Sequence, residues 1–219
     1  MPEISTAPRE RPILFSGPMV RVILDGRKTV TRRPLNARSL KLIDYGAQAG
    51  ECHYLPDSGP LHPNSVQYYA DFCPYGQPGD RLWVRETTMA DYDTHDGVVL
   101  SRYAADNEPV LYWDEDDGEP IQAVSHWDYP RDSRPSIHMK RSSCRLLLEI
   151  TDVRVERLQD INDEQAIAEG IDVHPSGFYG NGCITAWCAF LELWESINGA
   201  GSWDANPWVW VVEFKRVTT

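Results

Sequence analysis

The stretch Gly26-Arg27-Lys28-Thr29-Val30-Thr31-Arg32-Arg33 decides how this chain is interpreted, because it joins a predicted helix to a predicted strand. Upstream, Ser16-Gly17-Pro18 is typical of a helix start, with a capping serine followed by proline in the first turn. Apolar residues supply one helical face, and Gly26 is a typical helix terminator. We therefore predict a helix over about 18–25, followed by a strand over the β-branched run 28–33.

Three further strands and two further helices are predicted along the chain. A turn at Gln77-Pro78-Gly79-Asp80 leads into a strand over 81–86. Residues 143–158 form a long strand pattern with a bend near Thr151-Asp152, and 208–214 form a final strand. The predicted helices are one opened by a capping box at Asn162–Gln165 and closed by Gly170, and an amphipathic one over about 184–197 whose aromatic face is interpreted as core.

Two long segments interrupt these elements. Residues 34–78 show no sustained period and are interpreted mainly as loop or insertion, whereas 90–135 are acidic, with short strands predicted near 98–103 and 110–113. Short strands, long irregular segments and a few small helices favour an α+β barrel over a βαβ fold.

Composition limits the classes of protein that this chain can be. With 219 residues, 42% hydrophobic and 25% charged, the chain is of ordinary globular composition. No apolar run approaches the roughly 18–20 residues that cross a bilayer, and the N-terminus lacks a signal-peptide pattern. We therefore expect a cytoplasmic protein with no membrane partner.

The charge of the chain limits the classes of ligand that it can bind. The net charge of −12 argues against sequence-independent binding of long nucleic acid. Basic residues nevertheless dominate 9–41, while the acidic excess lies further on, for example at 91–93 and 114–117. A basic site on an acidic body suits a small anionic or nucleotide-like ligand, although a solvated basic face explains the charge equally well.

Cysteine usage gives no indication of a disulfide framework or a metal. The five cysteines are an odd number, and none forms a CxxC pair. Cys52-His53, His62 and Cys73 match no common zinc spacing, so free thiols are expected. No Gly-rich phosphate loop or dinucleotide fingerprint is present, and we expect neither a cofactor nor a metal.

Four motifs in order resemble the ASCH family of the PUA-like superfamily. They are Gly26-Arg27-Lys28-Thr29-Val30-Thr31, Gly79-Asp80-Arg81-Leu82, the strand Leu148-Glu149-Ile150-Thr151 followed by Ala166-Ile167-Ala168-Glu169-Gly170, and Val211-Val212-Glu213-Phe214. Phage and prophage members also look similar at 73–76 and 134–139. The resemblance implies a single domain over 1–219 with a PUA-like mixed β-barrel core at about 12–33, 79–86 and 136–217. It also implies insertions at about 34–78 and 90–135.

The resemblance also implies a function. Small bacterial members of this family are amidohydrolases that remove the acetyl group of N4-acetylcytidine. Their proposed catalytic lysine, threonine and glutamate fall on Lys28, Thr31 and Glu169 of this chain. A threonine hydroxyl needs a base, and a desolvated lysine surrounded by cations can act as one. Glu169 would orient Lys28, protonate the leaving amine, or hold Lys28 charged, which would oppose catalysis.

Strand geometry sets a condition on this site. Side chains alternate along a strand, so Lys28 and Thr31 converge only if Lys28 lies in the bend before the strand. Thr29 would share a face with Thr31 and is the rival hydroxyl. In the alternative interpretation, Lys28 and Glu169 form a surface salt bridge without catalytic function.

Further candidates and two other functions remain open. Substrate-binding candidates are Arg27, Thr29, Arg32, Arg33, Trp83, Glu86 and His138. A non-catalytic reader of RNA or of a modified base would use the cations at 27–33 and a stacking Trp83. A metal-independent ribonuclease would depend on His138. In each case the partner is a small nucleoside, a modified base or RNA.

Overall fold

The computed structural model describes residues 8–114 and 121–217. Most of the acidic run at 114–117, and the N-terminal residues that bear on a signal peptide, lie outside these ranges. In chain order the elements are β1 (Glu10–Leu14), α1 (Gly17–Leu24), β2 (Val30–Pro34), α2 (Ala37–Gln48), α3 (Val66–Asp71), β3 (Arg81–Arg85), β4 (Thr88–Asp91), β5 (Leu100–Tyr103), β6 (Leu111–Asp114), β7 (Ile121–Val124), β8 (Ser133–Arg134), β9 (Leu147–Arg157), α4 (Asp163–Ala168), α5 (Ala186–Asn198) and β10 (Trp208–Arg216).

The central sheet has five strands in the order β1-β3-β9-β10-β2. β1 pairs with β3 in parallel, and the other pairings are antiparallel. The expected α+β class is thus confirmed, but the expected closed barrel is not formed. β1 and β2 remain sheet edges in the described residues, and they are connected by a side chain, since Nη2 of Arg33 donates to the carbonyl oxygen of Leu14 at 2.6 Å.

The two faces of the sheet bury separate clusters of side chains. Because side chains alternate on β10, Trp210, Val212 and Phe214 pack on one face with α1, and Val209 and Val211 pack on the other. The second face is covered by α4 and α5. The predicted bend in β9 is a register shift, where Ile150 pairs with Phe214 and Asp152 with Glu213, leaving Thr151 between them as a bulge.

The sequence predicted most elements next to the sheet correctly. Asn162 and Gln165 form the expected capping box at the start of α4, and α1 and α5 lie where the periodicity placed them. The prediction that residues 34–78 are mainly loop was wrong, because they contain α2 and α3. α2 buries only Ser39, Ile43 and Gly46, too few apolar positions to produce a recognisable period.

The second insertion forms two small sheets. β5, β4 and β8 make a three-stranded sheet, while β6 and β7 form a hairpin pair. This agrees with the short strands predicted near 98–103 and 110–113. In the part of the chain that the structure describes, no helix has the length and apolar character that crossing a membrane requires.

Candidate functional site

Lys28 lies in a tight bend between α1 and β2. α1 ends at Leu24, and Gly26 then takes a φ of 73°, which glycine adopts without steric cost. The backbone N–H groups of Arg27 and Lys28 both donate to the carbonyl oxygen of Val22, at 2.9 and 3.1 Å. β2 begins only at Val30, so Lys28 precedes the strand and the alternation of side chains along the strand does not apply to it. This meets the condition that the sequence set for Lys28 and Thr31 to point in the same direction.

Glu169 meets Lys28 from the end of α4. Nζ of Lys28 lies 2.6 Å from Oε2 of Glu169 and 2.7 Å from the carbonyl oxygen of the same residue. The Lys28 side chain is fully buried, and Glu169 is 4% exposed. The salt bridge is therefore internal and not at the surface.

Gly170 allows this close approach. Its φ is 98°, and a Cβ built on it would lie 2.8 Å from Cγ2 of Val22 and 3.3 Å from Cβ of Lys28. Any larger residue would push the end of α4 away from α1. The glycine of the Ala166–Gly170 motif is thus explained by its packing against α1 and the bend.

Arg32 extends the pair into a buried charge network. Its Nη1 lies 3.4 Å from Oε1 of Glu169, and its Nη2 donates to Oε2 of Glu156 at 3.1 Å. The Arg32 side chain is fully buried. Glu169 therefore lies between two buried cations, Lys28 and Arg32.

The environment of Lys28 lowers its pKa from the ordinary value. Burial is the largest effect and lowers its pKa, because a charged ammonium group loses its hydration. Glu169 opposes this by charge and hydrogen bonding, while Arg33 and Arg32 lower the pKa further. The net direction is downward, which is the direction that a general base requires.

A cavity of about 160 Å³ lies beside this network. Its polar side is formed by Thr31, Arg32, Arg33 and Glu169, and its apolar wall by Phe190, Leu193, Trp194 and Ile197 of α5. Nε of Arg32, Nε of Arg33 and Nε1 of Trp194 make no hydrogen bond within the described residues. Three unsatisfied donors thus belong to residues that line the cavity.

The two threonines of the motif lie in different environments. Thr31 is 3% exposed and lines the cavity together with Glu169. Thr29 is exposed and does not line it, so the expectation that the two share a face was wrong. The reason is that Thr29 precedes β2, and its backbone N–H donates to the carbonyl oxygen of Ala168.

Arg27, another substrate-binding candidate, points away from the cavity. Its side chain is 44% exposed and forms ion pairs with Asp172 at 2.7 Å and Asp25 at 3.2 Å. Arg32 and Arg33, in contrast, both line the cavity. The basic run therefore divides into residues at the cavity and residues at the surface.

The remaining candidates lie elsewhere. Trp83 packs under the guanidinium of Arg85, at 5.3 Å. Glu86 is buried against Arg145, which donates to both of its carboxylate oxygens at 2.9 and 2.8 Å. His138 is exposed and stacks on Tyr129. None of these three candidates lines the 160 Å³ cavity.

A larger cleft of about 1050 Å³ lies between the second insertion and residues 140–147. Its cations are paired with acidic groups: Arg134 and Lys140 with Asp128, and Arg145 with Glu86 and Asp106. Because these charges are already paired, they are poorly available to bind a ligand. The smaller cavity is lined by Thr31, by unsatisfied donors and by Glu169, the partner of Lys28. Lys28 itself, whose pKa is lowered, lies behind Glu169 and does not line the cavity. We take this cavity as the candidate site.

Sequence reasoning missed the contribution of α5 to the site. Phe190 and Trp194 are buried, as predicted for a core face, and they line the cavity as well. Helical periodicity gives the same pattern for both environments, so the sequence contained no signal to separate them. Cys52, His53, His62 and Cys73 do not gather into a set of metal ligands among the described residues.

No family model, curated protein or solved structure matches this chain. We therefore infer function from the chemistry of Lys28, Thr31 and Glu169 and from the cavity that Thr31 and Glu169 line.

Proposed function

We propose that this chain is a PUA-like protein of the ASCH type that hydrolyses an N-acylated cytosine nucleoside such as N4-acetylcytidine. Lys28, Thr31 and Glu169 would be its working residues, with no metal in the reaction. One observation carries the proposal: Thr31 and Glu169 line the same small cavity, and Glu169 holds a buried Lys28 whose pKa is lowered.

The proposed reaction begins with the hydroxyl of Thr31. Neutral Lys28 accepts the hydroxyl proton while the Thr31 oxygen attacks the acyl carbonyl carbon. The negative charge of the tetrahedral oxygen is stabilised by the neighbouring guanidinium groups of Arg32 and Arg33. Protonated Lys28 then returns the proton to the departing cytosine amine, and water hydrolyses the acyl-threonine with Lys28 again as base.

Glu169 has a positioning role in this scheme. Two of the three donors of a protonated Lys28 are directed to Glu169, one to its carboxylate and one to its carbonyl oxygen. This fixes the amine in the bend. The same carboxylate stabilises Lys28 after Lys28 has accepted the proton, because the resulting buried cation is then paired with a negative charge.

The size of the cavity suits the acyl end of the substrate. Small-molecule sites typically enclose roughly 300–1,000 Å³, and this cavity is only about 160 Å³. An acylated exocyclic amine and part of a pyrimidine ring would fill it. The ribose would then stay at the opening, near the exposed residues Ile197 and Asn198.

The test is turnover of N4-acetylcytidine by purified protein in the presence of a chelator, with cytidine and acetate quantified by chromatography. Thr31→Val removes the hydroxyl at nearly constant volume and is expected to reduce kcat at least about 100-fold. The matched control is Thr29→Val, which removes an exposed hydroxyl two residues away and leaves kcat unchanged. Folded protein without turnover would rule out this substrate.

A second candidate function is a non-catalytic reader of RNA or of a modified base. The specific observation in its favour is the short contact of 2.6 Å between Lys28 and Glu169, because a closely paired, buried lysine and glutamate suit a structural role beneath a binding pocket. Here Arg32, Arg33 and the donors near Trp194 would contact the base. Binding that survives Thr31→Val but is lost in Lys28→Ala, without turnover, identifies this function.

The ribonuclease hypothesis has no such support. It requires His138 at the reacting phosphate, and His138 stacks on Tyr129 outside the candidate cavity. An unchanged rate of RNA cleavage in His138→Ala would exclude this role for the residue.

A further inference from the structure

Cys183, Cys188 and Glu192 form a cluster at the start of α5. Cys188 and Glu192 are one turn apart on the helix, so their side chains lie on the same face. Cys183 reaches them from the loop that precedes the helix. One donor atom of each residue, the two thiol sulfurs and a carboxylate oxygen, lies within 4.8 Å of the other two.

These distances approach those of a tetrahedral zinc site. With Zn–S of about 2.3 Å and Zn–O of about 2.0–2.2 Å, ligand atoms stand roughly 3.6–3.8 Å from one another. The cluster would therefore close around an ion through side-chain movements of about 1 Å, which two thiols and a carboxylate can make by rotation. The cysteines are half-buried and Glu192 is exposed, which leaves room for water as a fourth ligand.

A divalent cation bound between these three groups would convert both thiols to thiolates and neutralise the carboxylate of Glu192.

We propose that Cys183, Cys188 and Glu192 bind one Zn²⁺ ion, with water completing the tetrahedron. The two thiolates select a thiophilic cation over Mg²⁺ or Ca²⁺, which prefer oxygen ligands. None of the three residues lines the candidate cavity, so the ion has no part in the proposed reaction. The proposal is independent of the function assigned above.

The site would connect two segments that shape the cavity. The loop that carries Cys183 continues from Glu169, and the helix that carries Cys188 and Glu192 also carries Trp194. One ion would hold the loop against α5. The five-residue separation of the cysteines resembles no zinc-finger spacing, which is why the sequence led us to expect no metal.

The test is a titration of the full chain with Co²⁺ under reducing conditions, which reports thiolate ligands through thiolate-to-cobalt charge-transfer absorption. We expect saturation at one equivalent and displacement by Zn²⁺. Cys183→Ser and Cys188→Ser should each abolish the absorption. Cys52→Ser is the matched control, a partly buried cysteine outside the cluster, and should retain it in full.

Glu192→Gln provides a variant that is safe for folding, since Glu192 is exposed. It should keep the charge-transfer absorption but weaken Co²⁺ affinity by about tenfold or more. Zn²⁺ should also raise the thermal midpoint of the wild type and not that of Cys188→Ser.

Three results would overturn the proposal. They are no charge-transfer absorption in the wild type, absorption that survives in both cysteine variants, or absorption lost in Cys52→Ser. A Cys183–Cys188 disulfide that persists under reductant and prevents cobalt binding would count equally against it.

Discussion

The ammonium group of Lys28 contacts Glu169 twice, at 2.6 Å from the carboxylate Oε2 and at 2.7 Å from the backbone carbonyl oxygen. Both residues are removed from water, and Arg32 approaches the other carboxylate oxygen at 3.4 Å. This contact joins the bend after α1 to the end of α4, two segments far apart in the sequence. Stability and the proposed chemistry therefore depend on the same pair.

Breaking the pair from one side should destabilise the protein. Lys28→Met leaves the buried Glu169 carboxylate with Arg32 alone, and we expect the free energy of unfolding to fall by about 3 kcal/mol. The double variant Lys28→Met/Glu169→Met removes both charges and should lose less than the two single variants added together. Urea denaturation of the four proteins measures this coupling, and strictly additive losses would show that the pair is energetically unimportant.

The contribution of Lys28 to stability should increase with pH in the alkaline range. Its folded-state pKa lies below the ordinary value of 10.5. Between these two values the unfolded chain binds a proton that the folded chain does not, so stability rises with pH, by at most about 1.4 kcal/mol per pH unit.

This pH effect is isolated by subtraction. Urea unfolding of the wild type and of Lys28→Met is compared from neutral pH to about pH 10, and the difference in free energy of unfolding should grow in favour of the wild type. Other titrating groups cancel in the difference. A constant or shrinking difference would contradict the lowered pKa of Lys28.

Blocking the cavity should abolish binding without unfolding the protein. Ile197 lines the cavity and is 55% exposed, so a tryptophan at this position can fill the opening without disturbing the core. We expect Ile197→Trp to weaken substrate binding at least about tenfold, equivalent to about 1.4 kcal/mol. Ile184→Trp is the matched control, an exposed isoleucine away from the cavity, and should bind normally. Equal affinity in both variants would place the site elsewhere.

The Glu86–Arg145 pair should behave as a structural element. Arg145→Met leaves two carboxylates, Glu86 and Asp106, without their cation and is expected to cost about 3–5 kcal/mol. Glu86→Gln should cost clearly less, since Asp106 still pairs with Arg145. Burial raises the pKa of Glu86, so the penalty of Arg145→Met should shrink at acidic pH, where Glu86 takes up a proton.

Thermal and urea unfolding at neutral and acidic pH distinguish these outcomes, and kcat serves as the functional readout. Neither variant should change the rate of a reaction at the 160 Å³ cavity, because Glu86 does not line it. A loss of kcat in Glu86→Gln without loss of stability would indicate that Glu86 belongs to the functional site.

Local chemistry made much of the fold predictable. The capping box at Asn162, the glycine that ends the first helix and the alternation in 81–86 each act within a few residues, and each predicted its element. α2 was missed because its buried face is small and contains a serine and a glycine. Closure of the sheet is a non-local property, and the sequence pattern contained no information on it.

The sequence by itself determined the residue types of the site and the order of the strands along the chain, whereas the start of β2 at Val30, which leaves Lys28 in the bend, was seen only in the structure. Only the tertiary structure decided that Glu169 contacts Lys28 inside the protein, that Thr31 and not Thr29 lines the cavity, and that α5 forms its wall. It also brought Cys183 beside Cys188 and Glu192. The physical reason is that hydrogen bonds and periodicity act within a few residues, whereas burial and charge pairing depend on which distant segments meet.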